Sequence, residues 1–104
     1  MTREEGLRAL AEFRKTIDAI DLELLDLLNR RTRVVEEIGR TKESLAMPIY
    51  EPRREEDVFR NVTDHNQGPL TADAVKGIFE RIIDEMRTLQ QMRRQQQRQG
   101  EKEC

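Results

Sequence analysis

Three cations stand where a helical seam should be apolar. Leu10, Arg14, Ile17, Asp21, Leu24, Leu28, Arg31, Val35, Ile38 and Lys42 follow one another at alternating spacings of four and three, in register over more than four heptads. Buried cations without partners are costly, so anionic side chains or an anionic ligand must meet Arg14, Arg31 and Lys42. Gln90 follows Met86 by four residues and so continues an apolar face, where its amide can donate without carrying charge. Glu51 and Glu55 share a face four residues apart, with Arg54 beside them. No nucleophile accompanies this set. The scattered Ser and Thr lack a histidine base, His65 reads as a solvated loop residue, and Cys104 is the last residue of the chain. Such an inventory suits binding a polyanion and stabilising developing negative charge, rather than covalent or metal chemistry. It suits equally a row of interhelical salt bridges along a coiled-coil seam, and the residue types leave both readings open.

The spacing limits which cations can share a ligand. Arg31 and Lys42, eleven residues apart, differ by only about 20° around a helix and about 16 Å along it. Two long side chains leaning together can hold a small dianion across that gap. Arg14 lies about 25 Å from Arg31 along the same helix and cannot join them from its own chain. In an antiparallel dimer it can enter the partner's pocket, so the seam predicts a site shared between subunits.

The elements that must position these residues are helices. A second, almost wholly apolar stripe (Phe13, Ile17, Ile20, Leu24, Leu27, Val34, Ile38) predicts a helix over residues 7–44 with a broad core-facing side. Thr2 and Glu5 have capping-box spacing, but Gly6 behind them places the expected start later. Ala46, Met47 and Pro48 end the helix, because the residue before proline is pushed away from helical angles. Glu51-Pro52 then opens a second helix, expected to run to about Asp64 with Val58, Phe59 and Val62 inward. The run His65-Asn66-Gln67-Gly68-Pro69 is a loop by composition. Thr71 is the expected N-cap of a third helix whose inner face is Val75, Ile78, Phe79, Ile82, Ile83, Met86 and Leu89. The tail from about residue 93 is polar all round and is expected to fray.

A helix over 7–44 would be about 55 Å long. A compact domain of this size has a radius of gyration of only about 13 Å, so a partner chain, by default a second copy, is expected to cover the helix. The 104 residues, expected to form a single domain over 1–104, are 38% charged with a formal charge of −2. That balance argues against a general nucleic-acid binder. The polar N-terminus and the want of a long apolar run argue against a leader and a membrane span. A single cysteine points to a cytoplasmic setting and leaves too few ligands for a structural zinc site.

Taken in order, the residues resemble a known family. Arg14-x-x-Ile17-x-x-x-Asp21, Leu24-Leu25-x-Leu27-Leu28-x-x-Arg31 and Gly39-x-x-Lys42 are similar to the all-helical class of chorismate mutase. So are Pro48-Ile49-Tyr50-Glu51-Pro52-x-Arg54-Glu55 and Ile82-Ile83 followed by Leu89-Gln90-Gln91. The likeness covers roughly residues 7–92. It implies an intertwined all-α homodimer of three-helix subunits, rearranging chorismate to prephenate without cofactor or covalent intermediate. By position, Arg31 would bind one substrate carboxylate and Arg14, from the other subunit, another. Lys42 and Gln90 would donate to the ether oxygen of the breaking bond. Glu55 would accept from the ring hydroxyl, with Glu51 nearby acting mainly through its backbone and Arg54 steadying that end. Ile38 and Ile83 would line the apolar wall. Met86 stands where much of the family has a serine that touches a substrate carboxylate, a hydrogen bond methionine cannot donate.

The same resemblance admits elimination of pyruvate from isochorismate on the same fold, ranked second because the Lys42 and Gln90 pair suits the mutase. The rival of another class is a non-catalytic helical dimerisation module whose seam cations meet acidic residues of the partner. The resemblance also implies possible association with another shikimate-pathway enzyme.

Overall fold

The computed structural model describes residues 1–103, with side chains through residue 100; Cys104 lies outside the described residues. Three helices follow in order, α1 (Arg3–Ser44), α2 (Pro52–His65) and α3 (Ala72–Glu103). Among the described residues there is no strand, and no helix is long and apolar enough to cross a membrane.

Helix α1 starts four residues earlier than the sequence suggests. The Glu5 N–H donates to Thr2 Oγ1 at 3.2 Å and the Thr2 N–H to Glu5 Oε2 at 3.3 Å, closing the capping box. Such a cap contributes about 1 kcal/mol, comparable to the roughly 1 kcal/mol that Gly6 costs inside a helix, so the helix extends through the glycine. At its other end Ala46 adopts φ 54°. The Ala46 N–H bonds to the Glu43 carbonyl at 3.1 Å and the Met47 N–H to the Lys42 carbonyl at 2.8 Å, the two bonds of a Schellman ending. The chain therefore stops on a left-handed alanine, two residues before the proline expected to stop it.

The chain divides into two units, Met1–Val34 and the residues from Val35 onward. In the first, the apolar stripe of α1 is exposed: Leu10, Phe13, Ile17, Ile20, Leu24 and Leu27 all keep more than two-fifths of their surface. The core-facing role expected of that stripe is not met by residues of this chain, and α1 has no buried residue at all.

In the second unit α2 packs on α3. The buried apolar side chains, Val75, Ile83 and Met86, all come from α3, with Phe79, Ile82 and Leu89 half-buried beside them. Ile78, expected inward, is exposed. Thr71 caps α3 as expected, its Oγ1 accepting the Ala74 N–H at 3.1 Å. His65 is the last residue of α2 rather than a loop residue, its Nδ1 on the Asn61 carbonyl at 2.7 Å. The polar stretch after Met92 does not fray: arginine and glutamine are good helix formers, and α3 continues through it to Glu103.

Candidate active site

Lys42 is fixed from both sides. Its carbonyl is held by the Schellman ending, and its Nζ donates to the Ile49 carbonyl at 2.9 Å and meets Glu51 Oε1 at 2.5 Å. The Lys42 side chain retains only 12% of its exposure, that of Glu51 37%. Glu51 begins α2 with its backbone alone: its carbonyl accepts the Glu55 N–H at 3.1 Å, and its side chain makes no capping bond. The carboxylate is turned to Lys42 instead.

Gln90 is anchored by Val35, to whose carbonyl Nε2 donates at 3.0 Å. Gln90 packs against Gly39, its nearest atoms 3.5 Å from where a Cβ would be, an ordinary van der Waals contact. A lysine ammonium has three N–H donors and a carboxamide two. The Ile49 and Glu51 contacts use two of the first and Val35 one of the second. One oriented donor on each residue remains beyond these bonds.

Glu55, half-buried, lies 3.6 Å from Arg87 Nη2. Arg87 also meets Asp84 at 2.5 Å and stacks over the Tyr50 ring, 5.1 Å from its centroid. The guanidinium beside Glu55 is thus that of Arg87, whereas Arg54, the residue expected to steady this end, is exposed. Ile83 and Met86 are buried and Ile38 exposed. Met86 brings a thioether rather than a hydroxyl donor to that face of α3.

In the first unit Arg14 is exposed and Arg31 half-buried. Arg31 lies in a shallow depression with Arg30, Arg33, Leu27 and Val34, a locally cationic surface. Within the second unit the structure brings Lys42 to Glu51 and Gln90 to the Val35–Gly39 turn of α1. Among the described residues no three His, Cys, Asp or Glu side chains converge as a metal-ligand set.

Sequence reasoning missed Arg87, Arg93 and Arg94. Arg93 reaches Glu36 Oε2 at 3.3 Å, and Arg94 Nη1 donates to the Met47 carbonyl at 3.0 Å. The available signal was helical: Arg87, Gln90 and Arg94 succeed one another at three and four residues. Arg40, also outside the expected set, pairs with Glu37, whose carboxylate raises the guanidinium above the ordinary arginine value, first as hydrogen-bond acceptor and then by charge.

Comparison with known proteins covers most of this arrangement. The family model for chorismate mutase type II matches residues 13–91. The bifunctional chorismate mutase/prephenate dehydratase of Neisseria gonorrhoeae is 40% identical over 76 residues, covering 73% of this chain and 20% of that protein. The chain spans only 20% to 26% of the length of the bifunctional relatives it matches. Among solved structures, chorismate mutase from Thermus thermophilus superposes with a TM-score of 0.78 at 34% identity, over 80% of this chain and 94% of that one. Chorismate mutase from Helicobacter pylori in complex with prephenate gives 0.75 at 28% identity, over 81% and 91%.

Proposed function

The chain belongs to the chorismate mutase type II family, and we propose that it rearranges chorismate to prephenate. The observation that carries this reading is the extent of the family match: residues 13–91 include every side chain of the expected machinery, from Arg14 to Gln90. The neighbouring structure that holds prephenate supports the same substrate class.

In the rearrangement a C–O bond breaks ahead of C–C bond formation, so negative charge gathers on the ether oxygen. Donors already aimed at that oxygen bind the transition state better than the substrate, which lowers the barrier. Lys42 and Gln90 supply them: each is oriented by a backbone carbonyl, at Ile49 and Val35, and each keeps one further N–H for the substrate. Arg31 and Arg14 bind the two carboxylates and hold the reactive conformer, an orientational contribution. Glu55, steadied by Arg87, accepts from the ring hydroxyl.

Arg14 serves the pocket of a second copy in this reading. The exposed stripe of Leu10, Phe13, Ile17, Ile20, Leu24 and Leu27 supports a homodimer, because contiguous apolar surface of this kind marks an interface. The test is to mix purified protein with chorismate, follow loss of its diene absorbance, and identify the product. Protein-dependent formation of prephenate is expected. Release of pyruvate from isochorismate in a parallel assay, with chorismate left unchanged, would replace the mutase reading with elimination, and no turnover of either substrate would overturn both.

A further inference from the structure

A cleft of about 270 Å³ opens between the C-terminal end of α1 and the extended end of α3. Its α1 wall is Glu36, Arg40 and Glu43, which recur at four and three residues and lie about a third of a turn around the helix from Val35, Ile38 and Lys42. Across from them stand Arg93 and Arg94, and Gln90 and Gly39 close one side. The cleft therefore backs onto the Gln90 anchor, and Ile49, whose carbonyl holds Lys42, also lines it.

Its charges are unevenly used. Glu36 is taken up by Arg93 at 3.3 Å. Arg94 is held by one nitrogen, Nη1, on the Met47 carbonyl, while its Nη2 is buried and has no partner. A buried guanidinium N–H without an acceptor is costly, and an anionic oxygen is the acceptor that relieves it best. Arg40 pairs with Glu37 outside the lining and Arg93 with Glu36, so Arg94 is the lining guanidinium left without a carboxylate partner, with Glu43 on the opposite wall. The volume falls just below that of a drug-sized pocket, and Glu43 on the wall repels a large polyanion.

We propose that this cleft is a second ligand site, for a small oxyanion such as a carboxylate or phosphate group, seated on Arg94 and reporting to Gln90. An anion there drawing Arg94 and Arg93 inward bears directly on the side chain that Val35 and Gly39 hold in place. The site stands independently of the reaction assigned above.

The experiment is a nuclear magnetic resonance titration of the isotopically labelled full chain with inorganic phosphate, and separately with acetate. Ionic strength is held constant with chloride. Saturable shifts are expected at the Arg94 side-chain N–H, the Gly39 amide and the Gln90 carboxamide, with one common affinity. The tighter of the two anions identifies the source chemistry. Arg94→Gln should weaken binding roughly 10- to 100-fold, the loss of one charge-assisted hydrogen bond. Arg93→Gln, at a more exposed position, should weaken it less and serves if Arg94→Gln loses helicity. Arg81→Gln, outside the cleft, should leave it unchanged. Shifts that chloride reproduces, or that persist in both cleft variants, would overturn the site.

Discussion

Removing the Lys42 ammonium separates catalysis from support. In Lys42→Ala the hydrogen bond to the Ile49 carbonyl and the contact with Glu51 both disappear. A bond donated by a charged group to a part-buried carbonyl contributes about 1.5–3 kcal/mol. The Glu51 carboxylate keeps 37% of its exposure and can rehydrate, so its lost partner adds little. A stability loss of about 2 kcal/mol is expected, enough to lower the midpoint of unfolding while leaving the chain folded. The rate should suffer more, because a preorganised donor to developing charge is worth about a hundred- to a thousand-fold in turnover. Lys42→Arg divides the two effects. A guanidinium can still meet Glu51, but its donors sit on a longer planar fork, so stability should recover further than rate. The assay is loss of chorismate absorbance at saturating substrate, with helicity and urea unfolding measured on the same preparations. A helical Lys42→Ala protein that turns over within about threefold of the parent would refute the reasoning, as that ratio is far below the loss of one such donor. A variant whose turnover follows its folded fraction alone would make Lys42 a structural cation.

Three further outcomes are expected. Mixing an inactive Arg14→Ala chain with an inactive Lys42→Ala chain should restore activity, since heterodimers would carry one intact pocket; no recovery after verified subunit exchange counts against a shared site. Gln90→Glu should be poor near neutrality and gain turnover as pH falls, while the parent stays flat. Only the protonated acid can donate; the Val35 carbonyl favours that form, Arg93 and Arg94 oppose it, and parallel pH profiles would remove Gln90 from the reaction. Ala46→Gly should stabilise the chain by about 1 kcal/mol in urea unfolding, because glycine adopts the left-handed conformation at φ 54° without alanine's steric cost; an unchanged or lowered midpoint would contradict the Schellman ending.

Local rules were legible in the sequence where a contact joins near neighbours. Pro52 in the first turn of α2 and the Thr71 cap each depend on groups within a few residues, and spacing states them directly. The spacing of Thr2 and Glu5 was as plain, but their box and Gly6 oppose each other by about 1 kcal/mol apiece, a balance spacing does not decide. The inward face of α3 was legible too, since helical period decides that Val75, Ile83 and Met86 lie on one side. Spacing also singled out Lys42 and Gln90 as polar groups on apolar stripes. Their partners were beyond it. The Val35 carbonyl is 55 residues from Gln90, and the groups that meet Glu55 and Arg94 lie as far off in sequence as separate helices. Which guanidinium serves Glu55, Arg54 beside it or Arg87 on another helix, was settled by how α2 packs on α3. Nor could period say what covers a stripe: the apolar residues of α1, expected to face a core, lie exposed in the single chain. Periodicity follows from the geometry of one backbone, whereas burial and pairing follow from which surfaces meet, and only the folded chain brings those surfaces together.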